Sequence, residues 1–152
     1  MNKMWVNGEQ RVLLDNDSRV LANVLRDEYG HFEVKVGCAE GVCGSCTVLV
    51  DGGPQAACLL LTAQVQDCHI ETARRQPDEL YKKLSDAFIR HEAAQCGYCT
   101  PGMLLSAYHF LRNADGQISS DLIRHALAGN LCRCTGYQHI VDAVEEVGRE
   151  GW

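Results

Sequence analysis

The spacing of apolar positions changes once along this chain. Up to about residue 73 they come in short runs bounded by turn formers, and from Arg74 onward they recur at helical spacing. Met4-Trp5-Val6 and Arg11-Val12-Leu13-Leu14 predict two strands joined across Asn7-Gly8. Both turn residues tolerate the positive φ of a type I′ hairpin. Asp15-Asn16-Asp17-Ser18 predicts a turn into a helix capped by Asp17 or Ser18, with Leu21, Val24 and Leu25 on its buried stripe and Gly30 at its end. Thr47-Val48-Leu49-Val50 predicts a strand, Asp51-Gly52-Gly53 a turn, Gln55-Ala56-Ala57-Cys58-Leu59 the returning strand, and His69-Ile70-Glu71 one more.

Beyond the punctuation at Pro77-Asp78, Leu80, Leu84, Ala87 and Phe88 share one helical face. Thr100-Pro101 predicts an N-cap followed by proline in the first turn, where the missing N–H costs nothing. Met103, Leu104, Ala107, Tyr108 and Leu111 continue that helix. After the Asp115-Gly116 turn, Ser119 or Ser120 caps a third, with Leu122, Ile123, Ala126 and Leu127 as its apolar face and Gly129-Asn130 as its stop. Ile140, Ala143, Val144 and Val147 mark a fourth. The fold class is therefore α+β: a mixed unit over residues 1–75, then a four-helix bundle over 76–152, each helix carrying one apolar stripe.

Composition narrows the function. A net charge of −6, with no basic stretch beyond pairs such as Arg74-Arg75 and Lys82-Lys83, argues against nucleic acid or an anionic membrane surface as partner. No apolar run is long enough to span a bilayer, so membrane insertion is not expected. Met1-Asn2-Lys3-Met4-Trp5 lacks the build of a secretory signal, and cytoplasmic residence is the expectation. Nine cysteines in such a chain point to metal rather than disulfides, because that compartment keeps thiols reduced.

Eight of those cysteines fall into two groups. Cys38, Cys43 and Cys46 stand as C-x4-C-x2-C in a loop with glycines at 37, 41 and 44, and Cys58 follows. This is the spacing by which plant-type ferredoxins hold a 2Fe–2S cluster, three thiolates from one wrapped loop and a fourth from a neighbouring strand. The first unit likewise resembles their β-grasp fold. The second group is Cys96-Gly97-Tyr98-Cys99 with Cys132-Arg133-Cys134, each pair ahead of a helix start, where free N–H groups favour thiolate and sulfide. Spacing alone leaves this group open between another 2Fe–2S cluster and a structural zinc, the latter being the commoner use of four cysteines. Cys68 stands apart and reads as a buried structural thiol.

Gln95-Cys96-Gly97-Tyr98-Cys99-Thr100-Pro101-Gly102-Met103 and Cys132-Arg133-Cys134-Thr135-Gly136-Tyr137 resemble the signatures of the iron–sulfur subunit of molybdenum hydroxylases, the xanthine dehydrogenase, aldehyde oxidoreductase and aerobic carbon monoxide dehydrogenase relatives. The resemblance runs from the Asn7-Gly8 hairpin to the last helix. It implies an outer 2Fe–2S cluster on Cys38, Cys43, Cys46 and Cys58, and an inner one on Cys96, Cys99, Cys132 and Cys134. It also implies Gln95 as a contact to molybdopterin. The implied partners are a large molybdopterin-binding subunit and a medium FAD-binding subunit, with this chain passing electrons singly between them and carrying no catalytic residue. Two segments depart from the family pattern: Lys82-Lys83-Leu84-Ser85 replaces a His-Pro-Leu-Gln run, and Glu71-Thr72-Ala73 lacks the usual glycine.

The competing expectation is a free-standing ferredoxin-type carrier with a helical extension. Rieske ligation would need histidines among the cysteines, and c-type haem a C-x-x-C-H; Thr47 and Thr100 occupy those histidine positions.

Overall fold

A computed structural model describes residues 2–14 and 17–152 of the chain. Asn7 at φ 52° and Gly8 at φ 88° make the tight turn that joins β1 (Lys3–Val6) to β2 (Glu9–Val12). A two-residue turn pairs Val6 directly with Glu9, so β2 starts at once and ends at Val12. The strand expected over residues 11–14 is thus shifted toward the turn, because hairpin geometry, not the apolar run, sets the register. Asp51 and Gly52 repeat the device between β3 (Thr47–Val50) and β4 (Gly53–Ala56). With β5 (His69–Glu71) the strands form one sheet in the order β2-β1-β5-β3-β4. The pair β1/β5 is parallel, and the remaining neighbours are antiparallel.

Helix α1 (Leu21–Asn23) runs into a wider π turn over Val24–Glu28, and both lie against the sheet through Leu21, Ala22 and Leu25. These residues join Met4, Val6, Val48, Val65 and Ile70 in one apolar core. The expected cap is not there. Val20 holds the N-cap position without a side-chain bond, because the Asp17 carboxylate accepts instead from the Arg19 amide and guanidinium. The first half of the expected turn, Asp15-Asn16, lies outside the described residues.

The helical part follows the expected order: α2 (Glu79–Arg90), α3 (Thr100–Arg112), α4 (Ser120–Ala126) and α5 (Gln138–Glu150). Asp78 caps α2 by accepting from the Tyr81 amide, and Ser119 caps α4 by accepting from Leu122. Three expectations change here. Cys99 takes the N-cap position of α3, making Thr100 its first residue. Leu122 is exposed, leaving Ile123 and Leu127 as the buried part of the α4 face. Helix α3 has no single stripe, since every residue from Gly102 to Tyr108 is buried.

Strand β3 supplies the reason for that burial. Strand alternation turns Val48 into the sheet–α1 core and Leu49 the other way, into the helical core with Leu84, Met103, Tyr108 and Val144. The sheet has helices on both sides at this strand, and α3 is enclosed between it and the other helices.

Candidate metal centres

The loop over residues 37–46 has almost no repetitive structure, and its shape comes from backbone conformation. Ala39, Gly41 and Gly44 all take positive φ. Gly41 at φ 75° takes the left-handed backbone that favours glycine, and a Cβ there would fall 2.2 Å from a methyl of exposed Leu59, which would have to turn away. Cys58 itself lies on a 3-10 turn, Ala57–Leu59, rather than on the expected returning strand, which ends at Ala56. That turn aims the Cys58 amide at Cys46 Sγ, 3.5 Å away. Cys38 Sγ receives the amides of Glu40 at 3.3 Å and Cys43 at 3.5 Å, and Cys43 Sγ lies 3.4 Å from the Ser45 hydroxyl.

The second group assembles at two helix starts. Cys96 and Cys134 Sγ lie 3.5 Å apart at the surface. Cys99 is buried and Cys132 half-buried, and they face each other within the same cluster of thiols. Cys132 Sγ receives the Thr135 amide at 3.4 Å and its hydroxyl at 3.1 Å. The fold thus brings each predicted foursome together, the outer one from within residues 38–58 and the inner one from two distant segments, with Cys96 and Cys134 lying 38 residues apart. Cys68 lies outside both, half-buried, its thiol 3.5 Å from the Gln66 carbonyl. Gln95 is exposed beside Cys96, on the wall of a shallow cavity with Phe88, Ile89 and His139.

The thiols differ in acidity. The Glu40 amide, then that of Cys43, stabilise a Cys38 thiolate and bring its pKa down to about 6. Burial pushes Cys46 up to about 11 and Cys99 up to about 12. The Tyr98 amide lowers Cys96, while its neighbour Cys134, sharing a proton with it, is raised. Burial works against Cys132, but the Thr135 hydroxyl and amide outweigh it and lower the thiol. Amides aimed at sulfur suit a donor set that is anionic when loaded. Within each group the thiols adjoin in pairs, Cys38 with Cys43 and Cys46 with Cys58, Cys96 with Cys134 and Cys99 with Cys132.

Asn130 joins the two centres, a role its position at a helix stop did not reveal. Buried, it donates to the Gly44 carbonyl at 3.0 Å and to Thr47 Oγ1 at 3.3 Å, and accepts from Ser106 at 2.7 Å. Next to it, the Leu131 amide donates to the Cys43 carbonyl at 2.8 Å. Tyr98, between Cys96 and Cys99, donates its hydroxyl to the Val36 carbonyl at 3.0 Å, ahead of Cys38. The approach is close enough that a Cβ on Gly44 would lie 2.3 Å from the Gly129 carbonyl, and one on Gly102 2.3 Å from that of Gly44. The only sequence signal for this junction was the glycines themselves.

Residues 6–84 match the family described as "2Fe-2S iron-sulfur cluster binding domain", and residues 69–145 match that described as "[2Fe-2S] binding domain". The chain is 44% identical over 139 residues to the nicotine 6-hydroxylase small subunit of Paenarthrobacter nicotinovorans, covering 91% of this chain and 84% of that one. It superposes on a chain of quinoline 2-oxidoreductase from Pseudomonas putida 86 with a TM-score of 0.87 and 43% identity, over 99% of this chain and 97% of the other. On the aldehyde oxidoreductase of Desulfovibrio desulfuricans the TM-score is 0.85 at 36% identity, over 97% of this chain but 17% of that much longer one.

Proposed function

The chain belongs to the small iron–sulfur subunits of the molybdenum hydroxylases, and from that membership we propose that Cys38, Cys43, Cys46 and Cys58 hold an outer 2Fe–2S cluster and Cys96, Cys99, Cys132 and Cys134 an inner one. Subunits of this family transfer electrons within a multi-subunit oxidoreductase, and the substrate is transformed on another subunit. When bound, the clusters supply one-electron carriage between a molybdopterin site and a flavin. Iron–sulfur binding by the second thiol group, rather than zinc, is supported by the family match over residues 69–145.

The observation that carries the reading is the short connection between the two thiol groups. Cys43 of the outer group accepts, through its carbonyl, the amide of Leu131, whose covalent neighbour is Cys132 of the inner group. One 2.8 Å hydrogen bond therefore links the two ligand sets. Asn130 and Tyr98 hold that contact rigid on either side. Backbone amides at Cys38, Cys46 and Cys132 stabilise thiolate charge, and the buried surroundings of Cys46 and Cys99 keep water from them.

Exposure supports a division of labour between the two faces. Gln95, Cys96 and Cys134 are exposed together, which supports a large molybdopterin-binding subunit covering this face with Gln95 touching the pterin. Val42 and Leu59 are exposed apolar residues beside the outer group and suit a second, FAD-binding partner. The two apolar cores support a ferredoxin-like domain over 1–75 and a helical one over 76–152. Among the described residues no helix is long and apolar enough to cross a membrane, and a cysteine-rich chain read as ligating metal rather than forming disulfides suits the cytoplasm.

The test is anaerobic purification of the chain co-expressed with its partner subunits, followed by metal, sulfide and flavin analysis and EPR of the reduced protein. Four irons per chain and two distinct 2Fe–2S signals are expected, with C43S abolishing one signal and C132S the other. Zinc in place of the second signal, or one variant removing both signals from an otherwise folded complex, would refute the assignment.

A further inference from the structure

The geometry points to Thr135 as the residue that tunes the inner centre, its hydroxyl donating to the sulfur of Cys132 and raising the reduction potential of the cluster bound there. This rests on Cys132 being a ligand, as proposed above.

A hydroxyl has one proton and two lone pairs. The Tyr137 amide occupies a lone pair of Thr135 Oγ1 at 3.2 Å, and the acceptor within reach of the proton is Cys132 Sγ at 3.1 Å. The proton is therefore directed at sulfur. The Thr135 amide adds a second donor at 3.4 Å, and the Cys132 amide donates to Tyr137 Oη at 2.9 Å, closing a ring of contacts over residues 132–137. Gly136 at φ 63° and Tyr137 at φ 70° hold the turn that folds Thr135 back over the sulfur. A left-handed tyrosine is costly, and this ring is what it serves. Thr135 is 9% exposed, so water competes little for the donor.

Among the described residues no other hydroxyl donates to a thiol of the inner group. In the outer group Ser45 lies farther from Cys43 Sγ, at 3.4 Å, and either atom can be the donor there. The two centres are thus built unequally. One-electron reduction increases the negative charge on the thiolate sulfurs, so a directed O–H donor stabilises the reduced form more than the oxidised one. Low local polarity strengthens the effect.

The experiment is an EPR-monitored redox titration of the complete enzyme carrying T135V or T135S. T135V is expected to shift the inner cluster's reduction equilibrium about tenfold toward the oxidised form, about 59 mV for one electron, with the outer cluster unmoved. T135S, which keeps the hydroxyl, is expected to match the wild type. A fully loaded T135V with an unchanged inner potential, or with both clusters shifted equally, overturns the proposal. Should T135V fail to take up iron, T135S decides: a wild-type potential supports the role, and a tenfold shift despite the retained hydroxyl overturns it. Absence of an inner signal from the wild type would instead defeat the ligand assignment itself, so the two failures are told apart.

Discussion

Cys38 and Cys99 occupy opposite extremes of thiol environment. Two amides converge on half-buried Cys38, whereas buried Cys99 sits at the head of α3 against the helical core. The thiolate is the nucleophile, so alkylation measures this difference directly. In protein stripped of iron, Cys38 is expected to react first at neutral pH, its rate falling as acid protonates it near pH 6. Cys46 and Cys99, raised by burial to about 11 and about 12, should react only at strongly alkaline pH or on unfolding. Mass-spectrometric mapping of iodoacetamide labelling across pH checks this order, and equal rates at all three would contradict it. The cysteines' grouping was legible from spacing because a loop that wraps a cluster needs fixed short intervals. Their acidities were not, because amides and burial come from backbone conformation and from residues remote in sequence.

Helix α2 shows how one element is anchored to the rest. Asp78 caps it through the Tyr81 amide and also accepts the Tyr108 hydroxyl from α3. Arg75 pairs with Glu71 and Asp78 and lies 4.6 Å from the Tyr108 ring centre, so the connection from β5 into α2 is tied to α3. Burial opposes ionisation of Asp78, but the Tyr108 hydroxyl, the Tyr81 amide and Arg75 outweigh it and hold the carboxyl below its ordinary 3.8. A depressed folded pKa means that the stabilisation is present above the unfolded value and disappears as pH falls through the folded one. D78A is expected to lose about 1–2 kcal/mol at neutral pH, the size of a helix cap, with the gap to wild type narrowing in acid. Thermal melts at a series of pH values measure both; a gap that widens in acid would contradict the sign. Proline and aspartate at 77–78 marked this helix start in the sequence, while the Tyr108 contact needed α3 packed alongside.

At the scale of the whole molecule, two apolar cores share strand β3 and meet at Asn130. N130A leaves the Ser106 hydroxyl without its buried acceptor, a loss of about 1–3 kcal/mol, while the Gly44 carbonyl keeps the Thr47 amide and hydroxyl. The expected outcome is a lower melting temperature together with slower electron transfer from the inner to the outer centre, because the adjacent Leu131–Cys43 contact loses its support. Rapid-freeze EPR of both signals after substrate addition, beside calorimetry, tests the pair of effects. A destabilised variant with unaltered transfer would show that Asn130 holds the fold without holding the path.

The sequence by itself determined the order of the strands and of the four longer helices, and it grouped eight cysteines by their spacing. Hairpin turns, helix spacing and loop intervals are local requirements, each satisfied by residues close together along the chain. It also carried the family signatures, since these too are local runs. Only the tertiary structure decided that Leu49 faces the helical core, that α3 is buried on all sides, and that Cys58 sits on a 3-10 turn. It alone brought Cys43 within one hydrogen bond of the residue preceding Cys132. The physical reason is the same in each case. Burial, register and approach between segments are set by what packs on the far side of an element, and no spacing within a segment encodes its distant neighbour.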